Sequence, residues 1–596
     1  MRKEEFAAKI ETHETLRKRY TAVSDVVGYI KLIALPLMGV FVYFLYVREF
    51  PLELVGVGVI FLIANIVLWE YHRRLHEIIN FSKGIINIKQ RHLDRISGKW
   101  TNFTDIGEEY INPNHPYSSD LDIVGQKSFF QFLNTTHTWY GREAFANDLL
   151  QPRYTSAEIS ERQDAIKELG TDTDFANRME YTFSKIGVNN LQKFVADLTD
   201  QRLFLKSRVL KILLMFAPLV TIIFAVAVFL FRLEDMYIHA VTAIALQATV
   251  GVIGLLKTFP YLGDVSRFPR KLGAYSDVIS ALRNRDYNAT ILQRIQSQLG
   301  ASEISAERAI KELGKISDMV SLRHNLLVWF ALNALLMWDI QCSIAFEKWK
   351  RKYAHAAEGW FLALGEFESL LCFSTLPSLC DNTCLPTTTR EKAIEAQNMG
   401  HPLISNEIRV NNNVSNANNI FIISGSNMSG KTTFMRAIGI NLVLAQAGGF
   451  VCAKSMRFPL VEIITSMRIA DDLNEGISTF YAELKRIKAI IENAEKTPQT
   501  LFLIDEIFRG TNSVDRLSGA KAVLTKLDSL GAIGIITTHD LDLCDITTRY
   551  PRIKNFSFSE DYRDNKIHFD YKLKAGKSTT TNARYLMNML GITTSS

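Results

Sequence analysis

At 596 residues the chain is too long for one hydrophobic core and divides into two or three domains. Hydrophobic residues make up 47% and charged residues 22%, and Lys plus Arg exceed Asp plus Glu by only 68 to 62, too small a surplus to argue for a nucleic-acid partner from the total alone. The six cysteines (Cys342, Cys372, Cys380, Cys384, Cys452, Cys544) have neither disulfide-like nor zinc-like spacing, which favours a reducing, cytoplasmic compartment over a disulfide scaffold or a zinc site.

Residues 1–25 read as a cytoplasmic amino-terminal helix. From Leu32 to Val47 (LIALPLMGVFVYFLYV) and from Leu54 to Trp69 (LVGVGVIFLIANIVLW) run two uncharged apolar stretches of 16 residues each. Each is slightly short of the ~20 residues that carry a helix across hydrocarbon, but Lys31 can snorkel and uncharged Val26 to Ile30 lengthen the first. The expectation is a transmembrane hairpin over 26–71, followed by a connector over 72–119.

A second pair, Ile212 to Phe231 and Ala240 to Leu256, has 20 and 17 uncharged residues joined by RLEDMYIH. Buried core helices of a soluble protein share this composition, so flanking charge has to decide. Residues 1–31 hold seven basic residues, whereas the tip at 48–53 holds Arg48 alone. Arg202, Lys206, Arg208 and Lys211 precede the second pair, Lys257, Arg267, Arg270 and Lys271 follow it, and its tip has Arg232 alone. The positive-inside rule then points both hairpins outward and leaves the rest in the cytoplasm, as expected of a multi-pass protein of the inner (cytoplasmic) membrane. Asn325 to Trp338 (NLLVWFALNALLMW) is 14 uncharged residues, shorter than a span. A fifth crossing would put residues 339–596 on the far side from ATP, so this stretch is expected as a core or interface helix. No cleavable signal is evident, because the first apolar block starts late and lacks a small-residue cleavage site.

Basic residues at 73–99 (Arg73, Arg74, Lys83, Lys89, Arg91, Arg95, Lys99) and KWKRK (Lys348 to Lys352) fit phosphate, but bases beside spans also serve topology or anionic lipid.

The last third carries the chemistry. NIFIIS (Asn419 to Ser424) is a short β-type run, GSNMSGKTT (Gly425 to Thr433) a glycine loop, and FMRAIGINLVLAQAG has helical composition. Strand, loop and helix form the context that a G-x-x-x-x-G-K-[ST] match requires. Gly425 and Gly430 let backbone N–H groups, including those of Asn427, Met428 and Ser429, turn toward phosphates; Lys431 reaches the outer phosphates, and Thr432, followed by Thr433, supplies a hydroxyl for Mg2+. TLFLIDEI (Thr500 to Ile507) is an apolar strand ending in two carboxylates. Asp505 is placed for the Mg2+ shell, and Glu506 is placed to polarise the attacking water as general base. GAIGIITTHD (Gly531 to Asp540) delivers His539 to a strand end, where it could sense the γ-phosphate. Three such strands define a parallel sheet with its site at the carboxyl edge. The expected fold is an α/β P-loop NTPase domain over 391–596.

The set GSNMSGKTT, DDLNEGISTFYAELKRI (Asp471 to Ile487), LFLIDEIFRGTNSVDRLSGA (Leu501 to Ala520) and TTHDLDL (Thr537 to Leu543) resembles the ATPase domain of the MutS family, within the wider ABC-type group; HPLI (His401 to Ile404) and FMRAIGINLVLAQAGGFVCA fit it too. The resemblance implies ATP and Mg2+ as ligands and a homodimer through the ATPase domains, in which Ser478, flanked by Thr479 and Phe480, completes the partner's site in trans and Asn427 lies against the phosphates. Ser426 and Ser429 depart from the usual Pro and Gly, and Phe508 replaces a usual Gly; none removes a catalytic group.

Upstream, Asp120 to Leu169 resembles the start of the MutS helical core, so 120–390 is expected as an all-α, lever-like core interrupted by the second hairpin at 212–256. Membrane helices then occupy the place of the DNA clamp, and the amino-terminal mismatch reader of the family has no room before residue 120. Two functions follow from the resemblance. One is a membrane-anchored, MutS-like ATPase whose dimer engages mismatched, branched or distorted DNA. The other is an ABC-like mechanochemical ATPase that pulls on the lipid bilayer or a protein partner without DNA.

Overall fold

The computed structural model describes residues 2–47, 52–187, 204–263 (apart from 206, 232 and 233), 269–300, 305–468, 479–497, 499–508, 512–563 and 566–578, with Leu198 and Val265. The chain falls into two units, one of residues 1–104 with 378–380 and 405–407, the other of 105–377, 381–404 and 408–596.

The first unit is built on two long helices, α1 (Arg2–Val47) and α2 (Leu52–Ile96). They pack on each other along their length, Phe6 stacking on His92 at 5.4 Å between ring centroids and Lys31 sitting 3.5 Å from the centre of the Trp69 ring. Helix α2 therefore continues through most of the stretch expected as a connector. The apolar runs face outward: Leu32, Val40, Tyr43, Ile60, Ile66 and Val67 are all exposed, the reverse of a helix pair that buries its apolar stripe in water.

In the second unit an all-helical part precedes an α/β part. Its helices are α3 (Phe129–Leu133), α4 (Trp139–Leu150), α5 (Ser156–Thr171), α6 (Thr173–Ser184), α7 (Arg208–Phe229), α8 (Tyr237–Leu262), α9 (Pro269–Arg283), α10 (Thr290–Gly300), α11 (Ala306–Ser321), α12 (Leu326–Leu336) and α13 (Trp338–Ser374). Local sequence sets their starts. Thr138 caps α4 by accepting from the Gly141 N–H, and Thr155 with Glu158 forms a reciprocal capping box at α5. Helix α13 is the spine. It crosses α4 where a Cβ on Gly365 would stand 2.6 Å from the Tyr140 carbonyl carbon, so the crossing needs glycine.

Among the described residues three helices are long and apolar enough to cross a membrane: α1 over Lys3–Phe44, α7 over Val209–Val228 and α8 over Tyr237–Leu262; the pair α11 and α12, bent by 114°, makes up to four if read as one span. This differs from the four spans in two hairpins expected from the sequence. The run in α2 is 16 uncharged residues between Glu53 and Glu70, the same length as the run in α1 against which α2 packs. The stretch expected as a core or interface helix, 325–338, is also different. In α12 Leu326, Leu327 and Phe330 are 75%, 83% and 60% exposed, while Asn333 and Ala334 are the buried positions.

The α/β part has strands β1 (Thr387–Thr388), β2 (Ala393–Met399), β3 (Asn412–Ala417), β4 (Ile420–Ser424), β5 (Ser455–Phe458), β6 (Glu462–Ser466), β7 (Thr500–Asp505), β8 (Ile533–Thr538), β9 (Ile553–Arg563) and β10 (Lys566–Ala575). A small sheet runs β1-β5-β2-β3, and the main sheet runs β10-β9-β4-β8-β7-β6. Strands β9, β4, β8, β7 and β6 are mutually parallel, and β10 is antiparallel to β9. Their continuous apolar runs fit a sheet covered on both faces: every residue of β4 and β8 is buried. Helices α14 (Lys431–Gln446), α15 (Thr479–Lys496) and α16 (Ser513–Ser529) cover it.

Polar ties join the helical part to this sheet. The Asp120 carboxylate accepts from Thr465 Oγ1 at 2.6 Å and from the Arg468 N–H at 2.9 Å, while buried Arg162 pairs with Asp148 at 2.6 Å and donates to the Ala447 carbonyl at 2.8 Å, just past α14.

Candidate active site

The site lies at the carboxyl ends of β4, β7 and β8. Strand β4 ends at Ser424, and the loop 425–430 turns into α14 with Gly425 at φ 151°, Met428 at 69° and Gly430 at 103°. Side chains are excluded at both glycines. A Cβ on Gly425 would stand 2.7 Å from the Phe558 carbonyl oxygen, and one on Gly430 would stand 3.0 Å from the Tyr571 ring. The loop therefore presents backbone N–H groups at the amino-terminus of a 16-residue helix, where partial positive charge and unpaired donors gather.

Lys431 opens that helix and donates to the Gly425 and Ser426 carbonyls at 2.8 and 2.7 Å, holding its ammonium across the mouth of the loop. Thr432 Oγ1 donates to Asp505 Oδ2 at 3.0 Å, and Thr537 Oγ1 donates to Asp505 Oδ1 at 2.6 Å. Both oxygens of that carboxylate are thus fixed, one by the loop and one by β8. Thr537 also accepts from the Glu506 N–H at 3.1 Å, so a single hydroxyl positions both acidic residues. Glu506 sits at φ 55°, a left-handed conformation that turns it out of the strand, and His539 Nε2 lies 2.5 Å from its Oε1.

A cavity of about 560 Å³ opens onto the loop, Lys431, Thr432 and Glu506. It is lined by Asn427, Met428, Ser429, Gly430, Lys431, Thr432, Thr433 and Glu506, by Tyr571, which stands over Gly430, and by a wall of His401, Ile404, Ile408 and Val410. Burial, reinforced by the charges of Arg436 and Arg409, drops His401 to about 3, so this wall is neutral at ordinary pH. His539 does not line the cavity. It lines a smaller adjoining one with Glu506, Arg516 and Asp540, so it meets the large cavity through Glu506.

The structure therefore brings together the loop residues, Lys431, Thr432, Asp505, Glu506 and His539, as the spacing suggests. Ser478 lies outside the described residues. Four participants were not read from the sequence. Thr537 stands within the quoted TTHD, and its two hydrogen bonds need β7 and β8 side by side. Glu560 on β9 accepts from Ser426 Oγ, the serine found where the family usually has Pro. Tyr571 on β10 closes over Gly430, and Glu483 on α15 accepts from the Phe508 N–H at 2.5 Å.

Phe508 itself sits at φ 62°, a conformation that explains the usual glycine; here the buried ring packs on Phe480 at 5.8 Å and fills the space left by Gly519, where a Cβ would stand 2.6 Å from it. Ser429 Oγ is buried with no hydrogen-bond partner among the described residues and lines the large cavity, which suits a donor reserved for an anionic ligand. One carboxylate and one hydroxyl, Asp505 and Thr432, fit a Mg2+ ion that takes its remaining ligands from water and phosphate.

Residues 421–593 match the family model of MutS domain V. Among curated proteins, a DNA mismatch repair protein MutS from Carboxydothermus hydrogenoformans is 32% identical over 216 residues, which is 35% of this chain and 25% of that protein. The one from Acetivibrio thermocellus is 34% identical over 217 residues, again 35% and 25%. MutS protein homolog 4 of Homo sapiens is 36% identical over 194 residues, 30% of this chain and 20% of that protein. The chain thus spans about a quarter of the length of the curated relatives it matches.

Proposed function

We propose, from the premise that this chain is a MutS-family protein by its residues 421–593, that it works as a membrane-anchored ATPase whose dimer couples ATP binding and hydrolysis to engagement of DNA. The observation that carries the enzymatic part is one cavity lined by Lys431, Thr432 and Glu506, with Asp505 bonded to Thr432 and His539 paired with Glu506. The glycine loop and Lys431 bind the phosphates, and the neutral wall of His401, Ile404, Ile408 and Val410 receives the base. Thr432 and Asp505 hold Mg2+, which when bound offsets phosphate charge. Glu506 takes a proton from the attacking water, with His539 fixing the carboxylate's direction.

The dimer, the contribution of Ser478 across it, and DNA as the partner follow the family likeness. Relatives bearing the name DNA mismatch repair protein point the same way. Anchoring in the inner membrane, with the ATPase domain in the cytoplasm, is supported by the exposed apolar faces of the hairpins α1–α2 and α7–α8 and by the basic residues beside them.

The test is the ATPase rate of the full chain in lipid nanodiscs with linear, mismatched and four-way-junction DNA over a salt series. Stimulation by one DNA that weakens steeply with salt supports the reading, since phosphate contacts release counterions. A rate indifferent to every DNA but altered by lipid composition would remove DNA from it and leave a machine working on the membrane.

A further inference from the structure

Helix α12 has an odd position for so apolar a segment. It follows α11 after a 114° bend and precedes α13 after a reversal at Met337, whose backbone is left-handed at φ 50°. The helices on either side of it lie antiparallel: Trp338 Nε1 donates to the Met319 carbonyl at 2.9 Å, and eleven residues on Trp349 Nε1 donates to the Ala309 carbonyl at 2.7 Å. The chain therefore returns the way it came. At 11 residues α12 is about 16 Å long, half of what a crossing needs.

Its neighbours include the strongly apolar helices α7 and α8. A Cβ on Gly251 of α8 would stand 3.7 Å from Asn333 Cβ, one on Gly254 would stand 3.5 Å from Ile340, and the Arg323 guanidinium lies 5.2 Å from the Phe259 ring. Those positions form the end of α8 that carries Lys257. Gln341 Nε2 reaches the Leu214 carbonyl of α7 at 3.1 Å, and Glu347 pairs with Lys211 at the basic start of the same helix.

A polar pin closes the base of the turn. Buried Asp339 accepts from Trp329 Nε1 at 3.0 Å and lies 3.4 Å from Arg323, its own N–H donates to Asn333 Oδ1 at 3.1 Å, and Asn325 caps α12 through the N–H groups of Leu327 and Val328. One oxygen of Asp339 and the amides of the turn are thus held inside the fold, while Leu326, Leu327, Phe330 and Leu335 are exposed, as are Ile253 and Leu256 of α8. Backbone that enters lipid and leaves again is tolerated when its polar groups are satisfied this way.

We propose that α12 is a lipid-seated elbow: it is inserted into one leaflet of the bilayer, and the chain enters and leaves it on the nucleotide side. This rests on the membrane-anchored reading above and adds to it a membrane contact that leads directly into α13, the helix that touches the α/β part. At the far end of α13, Phe373 lies 2.8 Å from the place a Cβ on Gly449 would take, and Ser369 Oγ donates to Asp148 at 2.5 Å, beside Arg162 and its bond to Ala447.

The experiment uses the full chain in sealed vesicles of phosphatidylethanolamine and phosphatidylglycerol, with nitroxide labels on Leu327→Cys, Leu335→Cys, Val220→Cys in α7 and Glu358→Cys in α13. The unsubstituted protein, whose cysteines are buried or half-buried, gives the background. Each variant is first checked for wild-type ATP binding, and collision with oxygen is compared with collision with a water-soluble nickel chelate. The elbow gives labels at Leu327 and Leu335 that are open to oxygen, shielded from nickel and shallower than Val220, with Glu358 open to nickel. Nickel access at Leu327 and Leu335 with Val220 still shielded would overturn the elbow and leave the membrane anchoring standing. Nickel access at Val220 as well would sink the anchoring itself. An impermeant thiol reagent on Lys315→Cys and Lys352→Cys, which flank α12, reacts from one and the same side under the proposal, and reaction from opposite sides would make α12 part of a crossing.

Discussion

His539 Nε2 stands 2.5 Å from Glu506 Oε1, and neither residue reaches the other without the parallel pairing of β7 with β8. In the proposed mechanism the histidine orients Glu506 as the base, and Glu506 lines the cavity. Replacing Glu506 by Gln keeps the size and hydrogen bonding of the side chain and removes its basicity. ATP binding is expected to persist while turnover falls about 10²–10⁴-fold. His539→Asn is expected to lower kcat with little change in nucleotide affinity. Normal turnover in E506Q would remove the assignment of the base.

Asp505 is held by two threonines, and the pair differ in what they touch. Thr432→Ala removes the hydroxyl that faces both Asp505 and the cavity, and ATP binding at limiting Mg2+ is expected to weaken about 10–100-fold, the range of one hydrogen bond to a charged group. Thr537→Val keeps the shape and frees Asp505 Oδ1 and the Glu506 N–H together. Its expected effect falls on hydrolysis, with affinity nearly unchanged. Titrating Mg2+ against a fluorescent ATP analogue separates the two, and identical behaviour of both variants would contradict this division.

Ser478→Ala tests the shared site. Hydrolysis is expected to fall in proportion to dimer present, and mixing S478A with E506Q chains is expected to rescue part of the activity, because one of the two sites in the mixed dimer regains a full set. A fully active S478A protein would argue against completion in trans.

The helical part carries its own titration. Glu368, buried on α13, accepts from the His137 N–H at 2.8 Å and from Thr138 Oγ1, yet burial outweighs these bonds and pushes its carboxyl up to about 7. A carboxyl raised above its ordinary 4.5 is protonated in the folded state where the unfolded chain has already lost the proton. Its contribution to stability is complete below pH 4.5 and fades as pH rises through about 7. Glu368→Gln is expected to flatten the fall in melting temperature between pH 5 and pH 8, gaining up to about 3 kcal/mol on the wild type at the upper end. Equal slopes for the two proteins would mean that Glu368 is ionised throughout.

Close helix contact also makes stability depend on a single residue. Gly365→Ala places a methyl where Tyr140 backbone already stands, and a loss of about 1–3 kcal/mol is expected, read as a lower unfolding temperature. Gly359→Ala, one turn and a half earlier and facing open space, is the control and is expected to be neutral or slightly stabilising.

The nucleotide site was legible because its parts are local. Ser424 to Thr433 is one strand, one loop and one helix start, and each glycine in it answers to a backbone constraint that the sequence displays. Asp505, Glu506 and His539 were legible as ends of apolar runs. What could not be read is whatever depends on which strands lie side by side: Thr537 under both carboxylates, Glu560 on Ser426, Tyr571 over Gly430. The stretch 325–338 shows the same limit in the helical part. Fourteen uncharged residues fit a buried helix by length, and nothing in those letters reveals that α11 and α13 come together antiparallel and turn α12 outward.

Helix α13 is 37 residues, a rod of about 55 Å, and its tightest crossing, at Gly365, lies about 40 Å from Trp338 but about 13 Å from Ser374. The same rod is also tied along its Trp338 end, through Trp338 to Met319, Trp349 to Ala309 and Glu347 to Lys211, so one unbroken helix links the neighbourhood of α12 to that of Gly449.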